Sequence, residues 1–268
     1  MQGQLTFLGT GTSMGVPTLG CDCAVCTSGD PHDKRLRPSV LIRWQAEENE
    51  RSVVIDTGPD FREQALRAQL RRIDAIFYTH GHADHILGLD DLRPLSFMFY
   101  AESGPIPLYA GSETRAVLEK IFDYTFSPEA TYPNRAKVKL HPLKPSVRVH
   151  DLDFQRVPLL HGRMKISGFR FGKVAYLTDL SCIPEESFAL LAGVETLIIS
   201  ALRYKPHPTH ATVEQSLNWS QKIGARQTYF THIAHELGHE VTNRTLPAGV
   251  QLAYDGQSIP VDLSSPSV

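Results

Sequence analysis

The segment His80-Gly81-His82-Ala83-Asp84-His85 sets imidazoles and a carboxylate in an H-x-H-x-D-H pattern. In an extended stretch, side chains at i and i+2 point the same way, so His80 and His82 can grip one cation. Asp84 and His85, beyond the turn, reach a second. Imidazole and carboxylate together suit zinc, manganese or iron. Further donors close apolar runs: Asp56 ends SVVID, His161 ends RVPLLH, Asp179 ends VAYLTD and His232 ends TYFTH, as His80 ends DAIFYTH. Strand ends in layered α/β proteins converge on one sheet edge, where sites form. This order gives His80, His82 and His161 to one ion and Asp84, His85 and His232 to the other, with Asp179 between them. Asp56 is read as an outer group that orients a ligand, with direct ligation as the alternative. Both ions would keep an open position, as catalytic sites do. A water held between two cations becomes a nucleophile near neutral pH while the ions clamp the attacked centre. Asp84 is counted as catalytic as well as ligating.

GCDCAVC adds Cys21, Cys23 and Cys26 in a C-x-C-x-x-C spacing. Thiolates so spaced bind zinc, and a closed structural site wants a fourth ligand. Cys182 is one candidate, although it reads better as a small buried residue; a histidine from elsewhere would serve equally well. The stretch THIAHELGHE, 231–240, matches the H-E-x-x-H of zinc proteases, with Glu236 as base, and also contains T-H-x-x-H. Metzincins require Gly and His where this chain has Thr242 and Thr245, and no Glu ligand follows Glu240; Asp255 or Asp262 would serve only in a rarer arrangement. The protease reading is set aside, leaving Glu236 and His239 as surface or outer residues.

The elements that must position these groups are legible as short β-branched runs: QLTFLG, PSVLIRW, SVVIDTG, DAIFYTH, DFQRVPLLHG, KVAYLTD, ETLIISAL and QTYFTHI. Helical patterns lie between some of them. PDFREQALRAQL puts Phe61, Ala65, Leu66 and Leu70 on one face, TRAVLEKIFDYTF behaves likewise, and TVEQSLNWSQKIG has Thr212 as N-cap and Gly224 past its end. Residues 94–107 read as a loop or lid, EENE at 47–50 as a hairpin tip, and LGTGTSMG at 8–15 as a strand-to-loop turn near the site. The pattern predicts two packed mixed sheets flanked by helices in one α/β domain.

With 27 Lys and Arg against 29 Asp and Glu, net charge is −2, which gives no basic face for nucleic acid. No apolar run is long enough to span a bilayer. The start lacks the features of a signal peptide, so a cytoplasmic protein with unpaired cysteines is expected. A homodimer is compatible with the sequence.

Asp56, the motif at 80–85, His161, Asp179 and His232 resemble, in order and spacing, the motifs of the metallo-β-lactamase superfamily. This implies the αββα sandwich fold over residues 1–268, with a dinuclear hydrolase site. FLGTGTSMGVP, GCDCAVC and RLRPSVLI further resemble the start of PhnP-type phosphodiesterases and of PqqB proteins. The PhnP likeness implies that His235, three residues after His232, joins Cys21, Cys23 and Cys26 around a structural zinc on a loop at about 20–35. It implies two catalytic divalent ions, zinc or manganese. His210, in KPHPTHATVEQSL, resembles the family's general acid, with His207 a weaker rival and Arg203 and Lys205 as partners for phosphate oxygens. The expected activity is hydrolysis of a small, cyclic, phosphoribosyl-type phosphodiester. The alternatives are a PqqB-like cofactor-biosynthesis protein, a tRNA 3′-processing nuclease and an inactive zinc-stabilised binding module.

Overall fold

Residues 1–129 and 131–265 are described by a computed structural model; Ala130 and residues 266–268 of the expected domain lie outside the described residues. Val, Ile, Leu and Phe runs build two seven-stranded sheets. The first contains β1 (Gln2–Gly9), β2 (Ser39–Ala46), β3 (Asn49–Ile55), β4 (Ala75–Phe77), β5 (Ile106–Ala110), β6 (Val138–Pro142) and β14 (Ser258–Asp262), in the order β14-β1-β2-β3-β4-β5-β6. The second contains β7 (Ser146–Val149), β8 (Leu152–His161), β9 (Met164–Phe171), β10 (Val174–Leu177), β11 (Thr196–Ser200), β12 (Gln227–Thr231) and β13 (Val250–Leu252), in the order β13-β12-β11-β10-β9-β8-β7. Each half begins antiparallel and turns parallel, at β3–β4 in the first and β10–β11 in the second. Helical crossovers return the chain to the same edge, so the parallel strands all end on one side.

Alternation along the strands splits the apolar residues between two faces. The inner faces meet in a shared core that includes Phe7, Ile42, Val53 and Phe77 opposite Phe154, Phe169, Phe171 and Tyr176. On the outside of the first sheet, Phe61 and Leu118 belong to a second apolar cluster with Leu41, Val54 and Ile76. On the outside of the second, Val213, Leu217 and Trp219 pack with Leu197 and Ile199. The result is the expected αββα layering. Phe77 sits at its centre, with ring centroids 5.1 Å from Tyr109, 4.7 Å from Phe154 and 5.2 Å from Phe169. Phe77→Ala is expected to cost about 3–5 kcal/mol, the usual price of emptying such a position, read as a lowered urea midpoint with an unchanged slope.

Several local expectations hold. Thr212 caps the Val213–Ile223 helix by accepting from the Gln215 amide at 3.2 Å, while Gln215 Oε1 accepts from the Thr212 amide at 2.9 Å. Gly224 ends that helix at φ 77°, a left-handed conformation that glycine adopts without penalty. Residues 47–48 form the turn between β2 and β3. Others need correction. Residues 94–107 are no loop: they carry helices Arg93–Met98 and Tyr100–Ser103 and enter β5. On the Phe61–Arg67 helix Leu66 is 63% exposed, and Gln64 takes the buried position instead, donating to the Arg37 carbonyl at 2.8 Å. Strands β5, β6, β7, β9, β13 and β14 escaped the sequence reading; β6 and β7 are edge strands, and β7, although its burial alternates, is only four residues long.

Candidate metal centres

The donors arrive where the strands stop. Asp56 follows β3 and its amide bonds the Phe77 carbonyl at 2.9 Å, which ties the ends of β3 and β4 together. His80 lies three residues past β4, His161 is the last residue of β8, Asp179 comes two after β10, and His232 directly follows β12. Asp56, Asp179 and His232 adopt φ values of 65°, 61° and 55°. Non-glycine residues take this left-handed conformation rarely, Asp and His more readily than most, and such strain gathers at functional sites. Gly58 and Gly88 make the turn around Asp84 possible. A Cβ on Gly58 would meet the Asp84 carbonyl oxygen at 2.1 Å, and one on Gly88 would meet the Gly58 carbonyl oxygen at 2.1 Å.

Asp179 is the hub. One of its oxygens lies 3.0 Å from both His80 Nε2 and His85 Nε2; the other lies 2.6 Å from His232 Nε2 and 3.1 Å from His210 Nδ1. Asp84 approaches His85 Nε2 at 3.2 Å and His232 Nε2 at 3.7 Å. Close as they are, the Nε2 atoms of His80, His85 and His232, the Nδ1 of His210 and one Asp179 oxygen are buried without a hydrogen bond of acceptable direction. Buried polar atoms aimed at a common point and left unbonded mark a place built for cations. The donor set divides into Asp84, His85, Asp179 and His232; His80, His82 and Asp179; and His161, Asp179 and His210. The second ion's expected ligands therefore come together as a complete set. Of the first ion's, His161 stands with its ring centroid 5.1 Å from that of His82, and it also shares a group with His210.

An outer layer fixes the imidazoles. Asp56 accepts from His85 Nδ1 at 2.6 Å and from the Thr79 hydroxyl and amide at 2.7 and 2.8 Å. His161 Nδ1 donates to the Asp179 carbonyl at 2.7 Å. Both bonds leave Nε2 for a metal, the outer arrangement of metal-bound histidines. Asp56 thus lies behind His85, bonded to its Nδ1. Burial lowers the pKa of His80, His82 and His161, which favours the neutral imidazole that a cation needs. Burial also opposes charge on His85, but Asp84, Asp56 and Asp179 overcome it and raise its pKa well above the usual range. His232 is likewise raised to about 9, against burial, by Asp179 and Asp84. The carboxylates draw positive charge into the cluster, as a cation site must.

The second group gathers cysteines from the start of the chain around His235. Cys21, Cys23 and Cys26 Sγ lie 3.1, 3.4 and 3.5 Å from His235 Nδ1. Zinc bonded tetrahedrally to sulfur and nitrogen sets such atoms roughly 3.5 Å apart, so this quartet fits the ion. The Cys26 amide approaches Cys23 Sγ at 3.4 Å and holds that thiol down to about 6, which favours the ligating thiolate. Cys182 takes no part and is exposed rather than buried. The H-E-x-x-H string is not helical: residues 235–236 form a turn, and a short helix begins only at His239. His239 Nδ1 instead meets Arg35 Nη2 at 3.2 Å, and its amide donates to Asp33 at 2.7 Å. The protease geometry is absent. The 8–15 turn abuts the site, with the Thr12 amide donating to the Ile233 carbonyl at 3.0 Å. Arg203 does not stand free for a phosphate; its guanidinium is held by Glu236 and the carbonyls of its own loop. His207 lies 4.8 Å, ring to ring, from His210.

A sandwich whose strand ends converge on carboxylates and imidazoles in this order defines a metal-dependent hydrolase domain. The chain belongs to the beta-lactamase superfamily, whose domain matches residues 51–233. It is similar to a solved diphosphatase of the PhnP family, at 52% identity and a TM-score of 0.91, covering 98% of this chain and 99% of that one. Zinc-bound PqqB from Methylobacterium extorquens shares the fold, at 19% identity and a TM-score of 0.75 over 96% of this chain and 99% of that one. An octanoyltransferase from Porphyromonas gingivalis is 37% identical over 96% of this chain, which spans 51% of that protein's length. The expected superfamily and PhnP-type likeness are therefore found, and the fold implies divalent metal ions. Among the described residues no helix is long and apolar enough to cross a membrane.

Proposed function

We propose that this domain hydrolyses a small phosphate diester, of the cyclic phosphoribosyl class that the PhnP likeness implies. The observation that carries the reading is His210: an imidazole 3.1 Å from Asp179 Oδ1, with its ring 4.9 Å from that of His232 and its side chain 13% exposed. Hydrolysis at phosphorus expels an alkoxide, and a poor leaving group of this kind needs a proton. Divalent ions held by His80, His82, Asp84, His85, His161, Asp179 and His232 would supply Lewis acidity toward phosphorus and toward the attacking water. The chain's own residues do the rest. Asp56 and the Asp179 carbonyl hold the Nδ1 protons of His85 and His161, so both rings present Nε2 to the cluster. Water gives up one proton to solvent, its oxygen bonds to phosphorus, the ester P–O bond breaks, and the leaving oxygen takes a proton from His210, which is then reprotonated from solvent. The bystander zinc would sit on Cys21, Cys23, Cys26 and His235.

A diphosphate is the second reading, favoured by the 52% identical diphosphatase. Its leaving group is a phosphate, which departs with little need of an acid. His210→Ala therefore separates the two. For an alkyl phosphodiester turnover is expected to fall about 100-fold or more, while an activated aryl ester or a diphosphate loses far less. Equal losses on all three, with metal content reduced, would make His210 a ligand instead of an acid. No turnover of any phosphate substrate by metal-loaded protein would shift weight to the PqqB-like or binding-module alternatives.

A further inference from the structure

We propose that Glu236 and Arg203 form a positioning clamp through which the cysteine–histidine site sets the place of the His210 loop; the inference rests on the reading of His210 as proton donor. Glu236 follows His235 directly. One of its oxygens lies 3.8 Å from His235 Nε2, an electrostatic contact beyond hydrogen-bond length, and the other accepts from Arg203 Nη1 at 3.2 Å. The same guanidinium donates through Nε to the Lys205 carbonyl at 3.2 Å and through Nη2 to the Pro206 carbonyl at 3.3 Å. One planar fork thus joins a carboxylate, fixed beside the cysteine site, to the main chain of the loop that ends at His210.

Apart from its base and the contacts of His210 itself, the loop has few other ties. Its base is pinned by the Leu202 amide on the Ala211 carbonyl at 3.0 Å and the Val213 amide on the Arg203 carbonyl at 3.1 Å. Between those points, among the described residues, no main-chain hydrogen bond joins 204–210 to another part of the backbone. The other ties are made by side chains: Tyr204 Oη to Thr245 Oγ1 at 3.4 Å, the Thr209 amide and hydroxyl to His207 Nδ1 at 3.3 Å, and, at the far end, His210 itself against Asp179 at 3.1 Å and the His161 and His232 rings. An isolated exposed ion pair contributes little. This one differs because the guanidinium has two further acceptors in fixed positions, and because Glu236 is anchored by its neighbour in the quartet with Cys21, Cys23 and Cys26. The Glu of the H-E-x-x-H string thereby acquires a task that is not catalysis.

The test compares wild type with Arg203→Ala, Arg203→Lys and Glu236→Gln in zinc-loaded protein. Amide hydrogen exchange over 204–210 is expected to speed up about tenfold in all three, with the metal content of both sites unchanged. The ratio of alkyl-ester to aryl-ester turnover should fall about tenfold, the scale on which outer positioning groups act. In a His210→Ala background, Arg203→Ala should leave that ratio where it is. Lysine cannot form the fork, so Arg203→Lys should resemble the alanine variant. Unaltered exchange, or equal loss on both esters, would overturn the clamp. If wild type turned over neither ester, the phosphoester reading would fail with its proton donor, and the exchange data alone would then judge whether Glu236 and Arg203 hold the loop.

Discussion

Asp179→Asn is expected to abolish hydrolysis, with turnover falling on the order of 10³-fold or more, the scale of losing several kcal/mol of charge stabilisation at the reacting centre. Asp179 is the one carboxylate shared by all three groups of the active-site donors. Its two oxygens meet His80, His85, His232 and His210 within 2.6–3.1 Å. Asparagine is the informative replacement because it tolerates the left-handed backbone at φ 61° and keeps the shape of the side chain. What it removes is the negative charge and one acceptor oxygen. Metal analysis should then show loss from both positions of the cluster while the cysteine site stays filled. Retention of both ions with turnover within tenfold of wild type would remove Asp179 from its bridging place.

His235→Ala is expected to act on stability more than on chemistry. The Cys21–Cys26 turn and residue 235 lie more than two hundred positions apart in the chain, yet the sulfurs come within 3.5 Å of the imidazole. A zinc joining them stabilises only the folded form, by about 4 kcal/mol where free zinc exceeds its dissociation constant a thousandfold. For a chain of this size that corresponds to roughly 10 °C in Tm. The variant should bind one ion fewer per chain and melt correspondingly lower. Cys23→Ser should behave alike, whereas exposed Cys182 replaced by serine should change neither quantity. A His235 variant with unchanged zinc content would mean that the thiols hold the ion without it.

What the sequence by itself determined is the chemistry that could be done and the local frame that carries it. The H-x-H-x-D-H string, the Asp and His residues at strand ends and the cap at Thr212 are readable because each depends on neighbours a few positions away, where the periods of strand and helix apply. Likewise Asp56 could be read as an outer group, and it bonds His85 rather than facing the cluster directly. The PhnP likeness, and not spacing, picked His235 as partner to the cysteines. Tertiary structure alone decided the rest. Only the stacking of the two sheets sets Asp179 among His80, His85, His210 and His232, or places His161 beside both His82 and His210. Only it turns Leu66 outward and draws Gln64 in, because a polar side chain with a buried carbonyl to bond can displace a leucine that the helical period would bury. The link from Glu236 to Arg203 joins two segments 33 positions apart that no local rule connects. Such contacts depend on how the layers pack, and a linear pattern of residue types does not record that distance.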